Sequence, residues 1–194
     1  MITIEQMNLE KIKENLGQRF SRDADLLNSI VSELKLPKNS KILDIGTGWG
    51  FMAIKLALHD YNVITGEPEN ANWTDWRSRA KLANVEDKIT FKPFYAENLP
   101  FGNAAFDAVF LYTSLHHIIN KSRAFSEILR VMKSDGYLIV IELTKEGVDL
   151  IRKRHINHPD AVNPKDFTKQ FDLEASIRES KYLNAYIYKR KHNN

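Results

Sequence analysis

The sequence contains no cysteine. That removes disulfides, thiolate metal sites and a thiol nucleophile, so any chemistry runs without sulfur from the protein. It also lacks a run of about 18 apolar residues of the kind that spans a bilayer. The opening stretch M-I-T-I-E-Q-M-N-L-E-K has neither the basic nor the apolar segment of a secretory signal, and a soluble, cytoplasmic protein without membrane insertion is expected. Charge is nearly balanced: 28 Lys and Arg against 25 Asp and Glu leave +3, too small an excess to argue for nucleic acid by itself. There is no internal repeat and no low-complexity tract. What is present, 194 residues with 43% apolar and 10% aromatic content, can bury one substantial core, and a single domain is the default.

Glycine is scarce as well, with eight residues in all, yet three of them fall at alternate positions, Gly46, Gly48 and Gly50. They follow the apolar residues Ile42, Leu43 and Ile45, which suit a buried parallel strand, and they lead into a helical pattern over residues 51–59. Glycines at such a turn admit φ > 0 and let a ligand approach bare backbone N–H groups, while the helix start favours negative charge. A nucleotide-like ligand is the natural guest. Two registers are open. Read from Gly48, the pattern G-x-G-x-x-[GA] ends on Ala53, with Glu67 as the ribose acid of a dinucleotide site. That register leaves Asp44 inside the buried strand, where an unpaired carboxylate costs several kcal/mol or shifts its pKa strongly. Read from Gly46, Asp44 stands at the carboxyl end of the strand, facing the crevice, where it can meet a cationic amino group or brace the glycine loop. S-adenosylmethionine carries such an ammonium, and L-D-I-G-T-G-W-G resembles the first motif of class I S-adenosylmethionine-dependent methyltransferases.

Residues 4–20 and 22–36 read as two helices, the second with Ala24, Leu27, Val31 and Leu34 on one face and Ser21 or Asp23 as N-cap. They either pack on the sheet edge or close over the cofactor as a lid, with Arg19 and Phe20 the lid candidates. Residues 62–66 form a second short strand ending at Glu67, whose carboxylate can accept both ribose hydroxyls. A helix over residues 69–84 carries Trp73, Trp76 and Ala80 on one face, a stripe that suits core packing or an adenine platform. The third strand, residues 88–92, runs into F-Y-A-E-N-L-P-F at residues 94–101. This is similar to the family's G-D-A-E-N-L-P-F, whose acid accepts from the adenine amine while the next backbone N–H donates to the ring. Here Phe94 replaces the glycine and Tyr95 the acid, leaving recognition to the Tyr95 hydroxyl, its ring, or the Ala96 backbone. Residues 106–112 form a buried central strand that delivers T-S-L-H-H-I to the crevice, with Asp107 paired locally. F-D-A-V followed by L-H-H-I is similar to the small-molecule branch of the family, which includes quinone-type enzymes, and does not match the Asn-Pro-Pro-Tyr loop of DNA adenine enzymes. A helix over residues 120–132 precedes a turn at Asp135-Gly136, where Gly136 holds the position that needs φ > 0, and a fifth strand over residues 137–142. A helix over residues 145–157 carries Arg152, Lys153, Arg154 and His155, either as a solvated face or as a basic wall for an anionic acceptor. Residues 173–178 and 183–189 close the chain as an antiparallel pair.

The resemblance covers residues 40–142. It implies an α/β, Rossmann-like, doubly wound sheet of seven strands in the order 3-2-1-4-5-7-6 with the last strand antiparallel and helices on both faces. The whole of residues 1–194 forms one domain: N-terminal helices to residue 38, a cofactor core from 40 to 142, and a C-terminal helix and strand pair from 143. It also implies S-adenosyl-L-methionine held by Asp44, Gly46, Thr47, Gly48, Gly50, Glu67, Pro68, Tyr95, Ala96 and Tyr112, with a small-molecule methyl acceptor and no metal. The sulfonium activates the methyl group, so the protein aligns and desolvates an in-line displacement. His116 and His117 are the histidines near the reaction corner, available as a general base or as packing residues. An RNA or protein methyltransferase, a cofactor-binding protein without turnover and, on the Gly48 register, a nicotinamide oxidoreductase stand as alternatives.

Overall fold

A strand that is apolar on both sides needs cover on both faces. Strand β1 (Ile42–Ile45) is buried at every position and lies near the middle of a seven-stranded sheet. The computed structural model describes residues 12, 14, 16–71 and 75–191. In it β1 pairs in parallel with β2 (Val63–Gly66) on one side and with β4 (Phe106–Tyr112) on the other. Strand β3 (Ile89–Phe91) extends the sheet beyond β2, and β5 (Met132–Leu143) beyond β4, both parallel. The last strand, β7 (Leu183–Arg190), inserts antiparallel between β5 and β6 (Leu173–Glu179). The order is 3-2-1-4-5-7-6, as the family resemblance implies.

Alternate residues of these strands face two separate cores. Ile42, Ala108, Phe110 and Ile139 meet helices α1 (Gln18–Leu34), α2 (Phe51–Leu58) and α3 (Trp76–Leu82) on one face. Leu43, Val109, Leu111 and Leu138 meet α4 (Lys121–Val131) on the other. Two short helices, α5 (Lys145–Arg152) and α6 (Lys165–Thr168), follow β5. Asp107 is paired locally, as expected: it accepts from the Lys41 backbone N–H at 2.8 Å and from Lys133 Nζ at 2.6 Å.

Four local readings are corrected. The break before α1 lies at Gly17 (φ 89), not at Ser21 or Asp23. The apolar stripe extends back to Phe20, so the helix continues through both proposed caps and Asp23 becomes a buried acid. Most of the helix predicted over residues 4–20 lies outside the described residues, as does Trp73. Helix α3 starts later than predicted, capped by Asp75, whose Oδ1 accepts from the Ser78 N–H at 3.1 Å, and buries Trp76 and Ala80 as core. Gly136 does not take φ > 0. It sits within β5, where a Cβ would come 2.9 Å from Met132 Cγ and 3.1 Å from the Asp107 carbonyl oxygen, so space rather than dihedral angle demands the glycine. Helix α5 stops at Arg152, five residues short of the predicted end at 157.

Candidate functional site

The strand order reverses between β2–β1 and β4, and the crevice outside the carboxyl ends of strands at such a switch point is where open α/β sheets bind ligands. A cavity of about 670 Å³ occupies this place. Its floor is the loop between β1 and α2. Gly46 has φ 93, and a Cβ there would lie 2.4 Å from Ser114 Cβ, because the chain leaving β4 crosses directly above it. Gly50 (φ 76) caps α2, and its own Cβ would press on Trp76 at 2.9 Å. Gly46, Thr47, Gly48, Glu67, Pro68, Tyr95, Ala96, Tyr112 and His117 line the cavity, while Asp44, Gly50 and His116 do not.

Asp44 therefore departs from the sequence expectation. It is fully buried in β1 and does not face the crevice. Of its two proposed duties it performs the bracing one. The Thr65 hydroxyl donates to Asp44 Oδ2 at 2.8 Å and, with one hydrogen to give, accepts from the Thr47 hydroxyl, also at 2.8 Å. A buried relay thus ties the glycine loop to the strand beneath it. Burial pushes the Asp44 carboxyl up to about 8, against the lowering effect of the Thr65 bond.

Glu67 stands at the end of β2 and accepts the Gly48 N–H at 3.1 Å. Desolvation raises its pKa to about 7, with that hydrogen bond opposing. Across from it, Phe94 turns into the core whereas Tyr95 is 57% exposed on the cavity wall. The segment after Tyr95 is held from α4: Glu127 accepts the Leu99 N–H at 3.0 Å, and Arg130 donates to the carbonyls of Leu99 and Phe101 at 3.0 and 2.8 Å.

The roof comes from α1. Arg19 lines the cavity, donates to the Thr113 hydroxyl at 2.9 Å and has a buried Nε without a partner. Phe20, the other lid candidate, is fully buried edge-on against Phe51 at 5.4 Å and belongs to the core. One turn further, buried Asp23 takes a two-pronged bond from Arg22 at 2.5 and 2.6 Å and accepts from the Tyr112 hydroxyl. Burial, then the Asp23 charge, raises the Tyr112 pKa.

His116 and His117 lie on a short turn after β4. Only His117 reaches the cavity, where desolvation and then the neighbouring imidazoles hold its pKa below the usual range. His116 is buried, with Nδ1 at 2.7 Å from Glu142 Oε1. The roles of Glu142, Asp23 and His158 are not legible in the sequence. A lone acid at a strand end or inside an amphipathic helix gives no pattern to find, and His158 arrives from a loop. The basic segment is partly engaged within the fold, since Arg152 donates to the His158 carbonyl at 2.7 and 2.9 Å and to Asp160 at 2.8 Å.

A sequence profile described as a methyltransferase domain matches residues 43–140, just over half of the chain. The chain belongs to that family. A profile of ribosomal RNA adenine dimethylases also matches residues 9–63. The chain is 30% identical over 147 residues to a demethylmenaquinone methyltransferase of Clavibacter sepedonicus, covering 76% of this chain and 58% of that one. It is 32% identical over 119 residues to the 27-O-demethylrifamycin SV methyltransferase of Amycolatopsis mediterranei, covering 58% and 42%. The chain thus spans about half the length of these relatives. In fold it is similar to a SAM-dependent methyltransferase structure from Aquifex aeolicus, with a TM-score of 0.66 at 17% identity over 92% of this chain and 96% of that one.

Proposed function

We propose that this chain binds S-adenosylmethionine across the carboxyl ends of β1, β2 and β4 and transfers its methyl group to a small-molecule nucleophile. The observation that carries this reading is Glu67. Its carboxylate is anchored to the glycine loop through Gly48 and faces the same cavity as Tyr95, which suits a ligand with ribose hydroxyls on one side and a flat base on the other. The donor set fits the rest of the cofactor as well: Arg19, with its unpartnered Nε, matches a carboxylate. When bound, the sulfonium supplies the activated methyl group. The chain's own part is to align the acceptor and keep water out. His117 retains a lone pair at neutral pH and is the one of the two adjacent histidines placed to take a proton from an acceptor. The quinone and rifamycin enzymes among its relatives favour a small acceptor, with residues 1–194 acting as one domain. No helix among the described residues is long and apolar enough to cross a membrane, and a cytoplasmic location is part of this reading.

Calorimetric titration with S-adenosylmethionine, its demethylated product and a nicotinamide dinucleotide tests this directly. Binding of the first two and none of the third is expected, and the reverse pattern would overturn the reading. RNA methylation is a second reading, favoured by the dimethylase match over residues 9–63. It predicts RNA binding that weakens steeply with salt.

Glu67→Ala is expected to weaken the cofactor by about 1.5–3 kcal/mol, the scale of hydrogen bonds to a charged group, with an unchanged melting temperature in the absence of ligand. The Glu67 pKa of about 7 adds a pH signature. Ribose hydroxyls that donate to the carboxylate favour its ionised form, so the complex has the lower pKa and binding releases a proton below pH 7. Affinity should fall by up to about tenfold per unit as pH drops below 7 and level off above it, and Glu67→Gln should flatten the profile. A wild-type profile that is flat from pH 5 to 8 would remove Glu67 from the ribose.

Tyr95 stands where the family has an acid, and its exposed ring on the cavity wall suits stacking. Tyr95→Ala is expected to cost roughly 1–3 kcal/mol of cofactor affinity, the scale of base–aromatic stacking. Tyr95→Phe keeps the stack and loses only what the hydroxyl contributes, about 1 kcal/mol if it bonds the adenine. Unchanged affinity in the alanine variant would take Tyr95 out of the pocket.

A further inference from the structure

Three histidines from two separate loops converge at one end of the cavity. The rings of His116 and His117 are 4.2 Å apart between centroids, and those of His116 and His158 4.8 Å apart. One ring nitrogen from each lies within 4.8 Å of the other two, and this is the one such grouping of three potential ligands among the described residues. The surroundings decide which nitrogens are free. His116 Nδ1 meets Glu142 Oε1 at 2.7 Å, so Nδ1 carries the hydrogen and Nε2 the lone pair. That Nε2 is buried and has no partner. His158 Nδ1 meets the Pro159 carbonyl at 3.0 Å, and a carbonyl only accepts, so His158 likewise presents Nε2.

The carboxylate behind His116 and the loop that carries His158 are each held in place. Glu142, itself buried, also accepts the backbone N–H groups of His116 and Leu143 at 3.1 and 2.9 Å. The His158 carbonyl is gripped by Arg152 from α5. Metal-binding histidines are held in this manner, with the far ring N–H given to a carboxylate or a carbonyl.

We propose that His116, His117 and His158 bind a divalent transition-metal ion through three imidazole nitrogens, zinc being the ion whose open three-histidine coordination this donor set matches. Tetrahedral bonds of 2.0–2.1 Å place the nitrogens about 3.4 Å apart, so modest rotation of the two rings at the cavity wall closes the set around buried His116. His117 and His158 line the cavity, which directs the fourth position towards it. Zinc bound here occupies the His117 lone pair that the methyl-transfer reading offers to an acceptor, so the two uses of His117 exclude each other, and the test of the site needs no methyl donor.

The full chain, stripped with a chelator, is titrated with zinc by calorimetry and with cobalt(II) by visible absorption. One equivalent bound and the absorption of tetrahedral cobalt are expected. His158→Ala, a change on an outer loop, should weaken zinc at least tenfold and abolish the cobalt spectrum. Glu142→Gln should weaken zinc about 10–100-fold, as loss of such an outer carboxylate does. His155→Ala, on the same loop and also facing the cavity, should bind as wild type. The melting temperature of each variant without metal identifies any that fails to fold, and the half-buried His158 position, outside both cores, then decides the matter. Failure of the wild-type chain to bind one equivalent, zinc binding unchanged by His158→Ala, or loss with His155→Ala in its place would each overturn the site.

Discussion

Gly46→Ala is expected to remove measurable S-adenosylmethionine binding, a loss of more than about 100-fold, and to lower stability by about 2–4 kcal/mol. Two independent costs combine. A backbone at φ 93 is open to glycine and strained for a residue with a Cβ. The added methyl would also sit 2.4 Å from Ser114 Cβ. Neither partner can yield locally, because the Gly46 N–H donates to the Gly66 carbonyl at 2.9 Å and the Ser114 hydroxyl to the Ile45 carbonyl at 2.7 Å. The loop must move as a unit, taking with it the Gly48 N–H that holds Glu67. Gly48→Ala is the matched control: nothing lies within 4 Å of its added Cβ, and φ 47 is left-handed space available for about 1–2 kcal/mol. Thermal melting and calorimetry on both variants check the ranking, and Gly48→Ala proving the more damaging would contradict it.

Asp23→Ala should cost about 3–5 kcal/mol in denaturant unfolding, the usual penalty for stripping one member from a buried ionic cluster. The substitution leaves the Tyr112 hydroxyl buried without its acceptor and frees Arg22 from its two-pronged bond. Tyr112→Phe should cost only about 1 kcal/mol, since it removes a neutral donor and strands no charge. The double variant should lose less than the sum, because both changes break the same contact. Cofactor affinity should fall with Asp23→Ala as well, since the contact seats the turn of α1 that carries Arg19. A loss below about 1 kcal/mol would show that Asp23 is not what pins α1 to β4.

The sheet and the glycine loop are legible in the sequence because they repeat a period or concentrate a scarce residue. Residues buried on both faces give the continuous apolar run of β4, and three glycines in five positions, from a total of eight, announce a turn with special backbone needs. Gly46 is found on that basis, Glu67 by its place at a strand end, and the Tyr95–Ala96 pair through the resemblance of F-Y-A-E-N-L-P-F to the family's motif; all meet at one cavity. Acids inside regular elements are harder to read. Asp23 looks like a helix cap and Asp44 like a crevice acid, because sequence shows that a carboxylate sits near an element's end and not whether a hydroxyl or guanidinium waits beside it. Gly136 reads as a turn since glycine most often answers a dihedral demand, while here it answers a steric one. His158 comes some forty residues after the other two histidines, from a loop without periodicity, so nothing local links them.

The insertion of β7 between β5 and β6 sets the order in which the molecule can become whole. Tyr188 must find Leu138 across the sheet, and Ile42 must find Ala108, so the most central contacts join residues far apart in the chain. Such topologies fold slowly. The cavity inherits that property, drawing its walls from α1, from the ends of β1, β2 and β4, and from the loop after α5, so no early fragment can hold a ligand. Ligand capture therefore reports the joining of α1, β1, β2, β4 and the loop after α5, and a bound cofactor would protect the amides of β1 and β4 from hydrogen exchange together, by the same increment of free energy.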